Sequence, residues 1–267
     1  MDVCAVAVAG RGLVDPSEPV FAADDEALLR GRSVFETLRV YAGRPFRFDD
    51  HLARFAASAE RLRLPEPDAD ECRRLAGDVI GACDGEADLA LRLYWTGRTL
   101  VVTAGLIDRG LEAQRAVGLR LAVVDWSTGA LASAKSMSYA ENMGAQDAAV
   151  AAGADDALLV AHDGTVLEAP TANVFWREGE RLRTPALELP ILAGVTRAVV
   201  IEISDHPVEE GAFPLADLLR ADEVFLCSSI REVMPVAAVD GTTFGLGPAA
   251  HEVQQALRRL AGLPSKR

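Results

Sequence analysis

The chain has 267 residues, half of them apolar, so it is long enough to form one large or two modest domains around a sizeable hydrophobic core. Its formal net charge of −13 argues against nucleic acid or an anionic membrane surface as a partner, because both need basic patches. No apolar run approaches the roughly 20 residues of a membrane span, and the N-terminus lacks the basic region of a signal peptide.

Strand patterns dominate the first part of the chain, and helices interrupt them. Apolar residues at helical spacing predict a helix that Asp49 or Asp50 caps, and a second helix over about residues 68–83. Strands are predicted over residues 4–14, 34–41, 45–48, 88–95 and 99–107. Residues 1–108 are therefore expected to form a small N-terminal α/β domain, and the polar residues 109–118 a linker.

Residues 119–267 are expected to form a larger second domain in which turns such as His162-Asp163-Gly164 favour mostly antiparallel connections. Strands are predicted over residues 119–125, 156–161, 166–169, 173–177, 182–184 and 223–227. Helices are predicted over residues 139–152, 194–203, 215–220 and 249–260. The mixture of elements predicts an α+β fold.

The cysteines and histidines show no spacing that points to a metal or a redox motif. The four cysteines have no CxxC pair, and the four histidines have no HExxH-type arrangement. We therefore expect no metal site and a cytoplasmic protein with incidental thiols.

Lysine is almost absent from the chain, which has 25 arginines but only Lys135 and Lys266. Lys266 lies in a Pro-Ser-Lys-Arg tail that has no reason to be ordered, so Lys135 is the lysine of the folded body. A desolvated lysine amine can form a Schiff base, whereas the arginine guanidinium stays protonated and cannot. Replacement of lysine by arginine is common in GC-rich genomes, so the depletion alone establishes no catalytic role.

Four segments, in order along the chain, form a recognisable set. They read VFETLRV at 34–40 with HLAR at 51–54, AKSMSY at 134–139, GTVLE at 164–168 with TANVF at 171–175, and ILAGVTR at 191–197 with CSSIREVMPV at 227–236. Together they resemble the class IV aminotransferase family, the fold-type IV pyridoxal-phosphate enzymes. That family includes branched-chain aminotransferases, D-amino-acid aminotransferases and aminodeoxychorismate lyase, and the resemblance covers roughly residues 28–240.

The resemblance implies a two-domain fold-type IV enzyme, with a small N-terminal α/β domain and a larger C-terminal domain of mostly antiparallel, barrel-like β-structure with helices. It implies pyridoxal 5'-phosphate as the cofactor. Lys135 would hold this cofactor covalently and shuttle the proton at the substrate carbon. Glu168 would keep the pyridine nitrogen protonated, so that the ring can take up electrons. Without the other motifs, Glu168 would be interpreted as a solvent-facing strand residue.

The resemblance also implies the residues that bind the rest of the cofactor. Val195 and Thr196 follow Gly194 at a helix N-terminus, where backbone N–H groups favour a phosphate. The remaining candidates are Arg54 and Ser229 at the phosphate, with Ser228 beside it, and Tyr139 at the ring hydroxyl. The alternatives are an exposed helix arginine for Arg54 and a core aromatic for Tyr139.

Two departures from the family pattern concern the substrate side. Residues 30–33 read Arg-Gly-Arg-Ser where many relatives have a Gly-Asp-Gly triplet, and only residues 95–99 replace a long loop that usually supplies an arginine for the substrate carboxylate. Arg92 and Arg98 are the remaining candidates for that role. Because one short chain leaves the pocket mouth open, we expect a homodimer that acts on a small molecule.

The motif wording most resembles aminodeoxychorismate lyase, through VFETLRV, the FWREG run at 175–179 and the MPV ending at 234–236. That reaction releases pyruvate and 4-aminobenzoate from 4-amino-4-deoxychorismate. A class IV transaminase acting on D-amino, branched-chain or other amino donors uses the same cofactor residues, so these residues cannot separate the two reactions. A non-catalytic relative that only binds the cofactor is a third alternative, against which the intact Lys135 and Glu168 argue.

Overall fold

The computed structural model describes residues 2–83, 88–127, 129 and 131–263. The chain forms two compact units, of which the first comprises Met1–Asp108 and Ser133–Ser138 and the second Arg109–Ala132 and Tyr139–Arg267. The segment with Lys135 therefore belongs to the first unit, although it lies within the second domain that the sequence predicted.

The first unit is an antiparallel six-stranded sheet with helices. Its strands are β1 (Val3–Val8), β2 (Gly12–Val14), β3 (Val34–Tyr41), β4 (Arg44–Pro45), β5 (Leu89–Trp95) and β6 (Leu100–Leu106), and its helices are α1 (Glu26–Arg30), α2 (Phe48–Arg61) and α3 (Ala69–Ala82). The strand order is β2-β1-β6-β5-β3-β4.

Helices α2 and α3 cover one face of this sheet and form its main core. Leu38 and Leu91 lie opposite each other in the sheet and are buried in the same cluster as Phe55 of α2 and Leu75 of α3. Because successive strand side chains point to opposite faces, Arg92 projects to the face without these helices. The sheet thus separates an apolar core from a face that carries polar side chains.

Three details of the first unit differ from the sequence prediction. The predicted strand 4–14 is a hairpin of two strands, with Gly10 in a left-handed conformation (φ 75°) at the turn. The predicted strand 45–48 ends at Pro45, because α2 already begins at Phe48. Asp49 and Asp50 do not cap this helix but lie in its first turn, where carboxylates favour the helix dipole.

The expectation of four incidental thiols is wrong for one pair, because Cys4 and Cys83 form a disulfide. Cys4 lies in β1 and Cys83 is the C-cap of α3, a helix that packs against β1. The partners are 79 residues apart, so no local spacing could have indicated the pair. Cys72 and Cys227 are buried free thiols.

The second unit contains an eight-stranded mixed sheet, with order β11-β10-β9-β12-β13-β7-β8 and β14 paired to β13. Its strands are β7 (Leu119–Trp126), β8 (Asp156–Ala161), β9 (Asn173–Glu178), β10 (Arg181–Pro185), β11 (Val208–Gly211), β12 (Glu223–Ser228), β13 (Glu232–Val239) and β14 (Thr242–Thr243). Its helices are α4 (Leu111–Val117), α5 (Ala140–Ala151), α6 (Val195–Ile203), α7 (Leu215–Leu218) and α8 (Pro248–Leu260).

The second sheet has more parallel pairing than the sequence suggested. The pairs β10–β11, β13–β7 and β7–β8 are parallel, whereas β9 and β12 pair antiparallel at the centre. The predicted strand 166–169 makes only isolated bridges beside β8. The α+β class is confirmed, and in the part of the chain that the structure describes no helix is long and apolar enough to cross a membrane.

Residues 109–118, predicted as a linker, contain helix α4 and belong to the second unit. The guanidinium of Arg115 explains this difference, because it donates to the carbonyl oxygens of Val233 at 2.9 Å and Arg231 at 2.7 Å. Leu111 at the start of the helix packs against the hydrophobic cluster of the second unit, so this polar sequence holds its helix by one apolar contact and by the hydrogen bonds of Arg115.

Candidate active site

Lys135 is fixed against strand β3 in the first unit. The Phe35 N–H donates to the Lys135 carbonyl oxygen at 3.0 Å, and the Met137 N–H donates to the Ser33 carbonyl oxygen at 2.9 Å. The Lys135 N–H donates to the Ser58 Oγ of α2 at 3.1 Å. The Lys135 Nζ lies 4.5 Å from the centroid of the Phe35 ring. Sheet, helix and ring contacts together define the position of this amine.

A buried charged cluster of Glu36, His51 and Arg54 lies in the same unit. Arg54 donates from Nε to Glu36 Oε1 at 2.7 Å and from Nη2 to Oε2 at 2.8 Å, so the pair is bidentate. His51 Nδ1 lies 2.8 Å from Glu36 Oε2. The Glu36 side chain is 0% exposed and that of Arg54 12% exposed. Arg54 is therefore not the exposed helix arginine of the alternative interpretation.

The electrostatics of this cluster fix its protonation. Burial raises the pKa of Glu36, but the charge and hydrogen bonds of Arg54 outweigh it and lower the pKa to about 2. Burial lowers the pKa of His51, and the charges of Arg54 and Lys135 act in the same direction against the hydrogen bond to Glu36. A carboxylate only accepts hydrogen bonds, so His51 donates to it from Nδ1.

The sequence analysis gave no role to Glu36 and His51, although both stand in the quoted motifs. His51 and Arg54 are three residues apart and so lie on one face of α2. Glu36 lies between the apolar residues Val34 and Leu38 on the same face of β3, which is the face that α2 covers. A carboxylate at an apolar strand position is the sequence signal that predicts a buried ion pair.

The two substrate candidates of the first unit have different environments. Arg92 lies in one cross-strand row with Thr37 and Thr103, and its Nε is buried with no hydrogen-bond partner among the described residues. The Arg98 side chain is 59% exposed, and its Nη1 lies 3.3 Å from Asp24. Arg92 is therefore the better placed of the two for a substrate carboxylate.

The turn between β5 and β6 is closed by its own hydrogen bonds. Thr96 Oγ1 accepts from the N–H of Arg98 at 3.2 Å and of Thr99 at 3.1 Å, and it donates to Asp25 Oδ2 at 2.9 Å. The segment that replaces the long family loop is thus a tight turn.

Glu168 in the second unit is half-buried and accepts hydrogen bonds from a side-chain amide and a backbone N–H. Asn173 Nδ2 donates to Glu168 Oε2 at 2.9 Å, and the Leu192 N–H lies 3.2 Å from both carboxylate oxygens. The same Asn173 Nδ2 also lies 3.0 Å from the Leu192 carbonyl oxygen. The carboxylate is oriented by these groups, which is unlike the solvent-facing strand residue of the alternative interpretation.

The N-terminus of α6 lies beside Asn173, which bonds to Glu168. Gly194 is the N-cap residue and makes no side-chain cap, and Val195 and Thr196 form the first turn. The first N–H groups of a helix have no partner within the helix, which makes this end suited to an anion. A Cβ on Gly194 would lie 1.9 Å from Asn173 Oδ1, so only glycine fits at this position.

The remaining candidates also lie in the second unit. Ser228 ends β12 and its Oγ accepts from the Arg231 N–H at 3.4 Å, while Ser229 lies in the turn to β13. Tyr139 is the N-cap residue of α5, and its hydroxyl donates to the Pro170 carbonyl oxygen at 2.8 Å. The expected contact of Tyr139 with a ring hydroxyl stays a prediction.

The candidate residues are thus divided between the units. The first unit holds Lys135, Arg54, Arg92 and Arg98, and the second holds Tyr139, Glu168, Val195, Thr196, Ser228 and Ser229. Over the described ranges, no three His, Cys, Asp or Glu side chains are grouped so that they could hold a metal ion.

Comparison with known proteins identifies related sequences over most of the chain. The family model for amino-transferase class IV matches residues 33–239. The bifunctional aminodeoxychorismate lyase / D-amino acid transaminase of Mycobacterium tuberculosis is 31% identical, with 89% of this chain and 92% of that protein covered.

Solved structures of aminotransferases resemble the chain as well. A hypothetical aminotransferase from Mycobacterium tuberculosis in its PLP-bound form superposes with a TM-score of 0.87 at 29% identity, covering 94% of this chain and 98% of that one. The Escherichia coli branched-chain amino acid aminotransferase gives a TM-score of 0.89 at 24% identity, covering 97% and 95% of the two chains. The latter likeness concerns the fold, and it confirms the fold-type IV architecture.

Proposed function

Because this chain belongs to the class IV aminotransferase family and is a pyridoxal 5'-phosphate-dependent enzyme, we propose that it is a 4-amino-4-deoxychorismate lyase. The observation that carries the acid–base chemistry of this proposal is the setting of Lys135, whose backbone bonds to β3 and α2 and whose ring contact with Phe35 hold one amine in place. Aromatisation drives this elimination, so the reaction mainly needs such an amine as acid and base.

The residues of the chain fit the three chemical ends of the cofactor. Lys135 offers an amine for its aldehyde, and the N-terminus of α6 offers N–H groups for its phosphate. Glu168, oriented by Asn173 and Leu192, offers an anion for its pyridine nitrogen. We propose that Arg54 and Ser229, with Ser228 beside it, complete the phosphate site.

When bound, pyridoxal 5'-phosphate supplies an electron sink for the carbon that bears the substrate amine. Lys135 would hold the cofactor through its amine, and the same amine would serve as the base towards the substrate. It then takes the proton from the carbon that bears the substrate nitrogen. The bond from the substrate ring to the enolpyruvyl oxygen breaks, the departing enol takes up a proton to become pyruvate, and 4-aminobenzoate remains.

The preference for the lyase rests on the motif wording and on Arg92. The segments VFETLRV and FWREG are those that most resemble aminodeoxychorismate lyase. The substrate of that reaction carries two carboxylates, and the buried Nε of Arg92, which has no partner among the described residues, suits one of them.

Transamination of D-amino acids is the second candidate function. The Mycobacterium tuberculosis relative carries both activities in its name, which favours this alternative specifically. Lys135 would remove the same proton and later deliver it as an acid, while the cofactor would serve as the carrier of the amino group between donor and keto acid. The two reactions therefore share the first proton transfer and differ in the steps after it.

Product analysis separates the two reactions. The purified protein is incubated with 4-amino-4-deoxychorismate, and separately with D-alanine, D-glutamate or L-leucine in the presence of 2-oxoglutarate or pyruvate as a suitable acceptor. We expect pyruvate and 4-aminobenzoate in equal amounts from the first mixture. Keto-acid turnover from the amino acids with no 4-aminobenzoate from the first mixture would reject the lyase and favour the transaminase.

We also propose that the chain acts as a homodimer. The tight turn between β5 and β6 supports this, since it replaces the loop that usually completes the pocket mouth. Interfaces of obligate dimers bury upwards of about 2,000 Å². Sedimentation of the active enzyme at micromolar concentration tests the proposal, and an active monomer of 28.4 kDa would contradict it.

A further inference from the structure

We propose that Asn173 is a positioning residue that keeps Glu168 and the N-terminus of α6 in register, so that the carboxylate and the phosphate site match one rigid cofactor. The inference rests on the proposed roles of Glu168 and of Val195–Thr196. It adds to the orientation of Glu168 a second function of Asn173, at the start of the helix.

The geometry shows one side chain in contact with both sites. Asn173 Nδ2 lies 2.9 Å from Glu168 Oε2 and 3.0 Å from the Leu192 carbonyl oxygen, two residues before the N-cap. Its Oδ1 occupies the space that a Cβ on Gly194 would need, at 1.9 Å. The amide group therefore bonds to the carboxylate with one atom and packs against the start of the helix with the other.

The strand that carries Asn173 makes this placement rigid. Asn173 is the first residue of β9, lies opposite Cys227 of β12, and is 5% exposed. Burial raises the pKa of the Cys227 thiol to about 12, with the charge of Glu168 adding to the effect and that of Arg197 opposing it. The thiol thus stays neutral and brings no charge next to the carboxylate. A side chain on a paired strand holds its partners more precisely than one on a loop.

Only an amide satisfies all of these contacts. Its NH₂ group donates two hydrogen bonds while its oxygen remains an acceptor. Aspartate has nearly the same shape but cannot donate, and it would place a second carboxylate next to Glu168. Alanine would remove both bonds and leave Gly194 without the atom against which it packs.

The fixed distance between Glu168 and the start of α6 matters because of the shape of the cofactor. The pyridine nitrogen and the phosphate of the cofactor are joined through one aromatic ring, so an anion and a helix end that bind both must keep a fixed separation. Misplacement of either group by about 1 Å is costly in a preorganised site. Asn173 couples the two because it contacts both.

The experiment compares Asn173→Asp and Asn173→Ala with the wild type in the holoenzyme and in reconstitution of the apoenzyme with pyridoxal 5'-phosphate. The readouts are the cofactor dissociation constant, the pH midpoint of the visible absorption of the bound cofactor, and the melting temperature of the apoenzyme. Thr184→Val is the matched control, because Thr184 is buried in the same sheet and its hydroxyl donates to the Val174 carbonyl oxygen at 2.9 Å without contact to Glu168.

We expect both Asn173 variants to weaken cofactor binding by about tenfold to a hundredfold, because each loses one hydrogen bond to a charged group. Asn173→Asp should also shift the pH midpoint, whereas Thr184→Val should change only the melting temperature. Unchanged cofactor affinity and midpoint in Asn173→Asp would overturn the proposal, and so would an equal loss of affinity in Thr184→Val.

Gly194→Ala gives a second test, made from the other side of the same contact. Its added Cβ must displace the Asn173 oxygen, so it should weaken cofactor binding about as much as Asn173→Ala does. The double variant should then lose little more than either single one, because both changes break the same contact. Fully additive losses would contradict the coupling. A wild type that binds the cofactor but forms no 4-aminobenzoate would reject the lyase proposal and leave this one intact.

Discussion

Glu36 in the first unit and Glu168 in the second both accept directed hydrogen bonds, but the groups described as donors differ. Glu36 is fully buried and receives a bidentate bond from the cationic Arg54. Glu168 is half-buried, and the bonds described for it come from an amide and a backbone N–H. Neutral donors orient a carboxylate without cancelling its charge.

The difference indicates separate roles for the two carboxylates. The charge of Glu36 is matched within its own cluster, so its main effect is to orient Arg54. In the proposed function, the Glu168 carboxylate faces the pyridinium of the cofactor. Each of the following changes affects one of the two units, and together they test this comparison.

Lys135→Ala should have the largest effect, a loss of activity of roughly 10⁴-fold, because it removes the proposed proton shuttle. The visible absorption of covalently attached cofactor should disappear as well. Lys266→Ala is the matched control and should keep both the absorption and the activity; Lys266 lies outside the described residues. Absorption spectra and initial rates check this prediction, and an unchanged spectrum in Lys135→Ala would reject the role of this residue.

Arg54→Ala should lower the free energy of unfolding by about 3–5 kcal/mol, because it leaves Glu36 buried without its cation. The double variant Arg54→Ala, Glu36→Gln should recover part of that stability, since the uncompensated charge is gone. Cofactor affinity should stay low in both variants if Arg54 binds the phosphate. Urea unfolding and cofactor titration separate the two effects, and wild-type affinity in the double variant would limit Arg54 to a structural role.

Reduction of the Cys4–Cys83 disulfide should destabilise the first unit by about 2–4 kcal/mol, because the bond closes a long loop in the unfolded chain. Among the described residues this is the one disulfide, and it lies in the first unit. Thiol titration of the denatured protein should give two thiols before reduction and four after it, and Cys72→Ser should retain the bond. Four thiols without a reductant would show that the pair is not oxidised.

Acid should weaken the Glu36 cluster. The ordinary pKa of Glu36 is 4.5 and the folded value is about 2, so between these values the unfolded chain binds a proton that the folded chain does not. The contribution of up to about 3 kcal/mol is therefore complete above pH 4.5 and is lost as the pH falls towards 2. Urea unfolding from pH 7 to pH 3 measures it, and Glu36→Gln should flatten the profile. Equal pH dependence in both proteins would contradict this account.

Glu168→Gln should have the smallest effect, a tenfold to hundredfold loss of turnover, corresponding to roughly 1.5–3 kcal/mol for one charge-assisted bond. The glutamine amide still fits between Asn173 and Leu192 but cannot hold a pyridinium proton. The variant should fold and bind cofactor, as circular dichroism and titration can check. Wild-type turnover would mean that Glu168 does not face the ring nitrogen.

The sequence predicted the periodic elements well, because their signals are local. Strand β3 and helix α3 show clear alternation or helical spacing, and α3 lies within the predicted range 68–83, with Asp68 as its N-cap. Helix α4 was not predicted, since its sequence is mostly polar and the hydrogen bonds of Arg115 that help to hold it reach a strand distant in sequence. The disulfide was missed for the same reason, because its partners meet only in the folded chain.

The candidate site was predictable as far as its motifs extend. Lys135 and Glu168 were proposed by type and order, and their roles stay predictions. The groups that contact Lys135, Glu168 and Glu36 were not predicted. Ser58, His51 and Asn173 are common residue types whose function depends on a contact across elements. A sequence gives the chemistry of such residues, whereas their partners depend on the tertiary structure.

The central claim is that Lys135 is the lysine that carries the cofactor. The holoenzyme is treated with sodium borohydride, which fixes the cofactor to its amine, and is then digested and analysed by mass spectrometry. The account predicts one modified peptide, with the phosphopyridoxyl group on Lys135. A label on Lys266 or the N-terminal amine, with Lys135 unmodified, would contradict it.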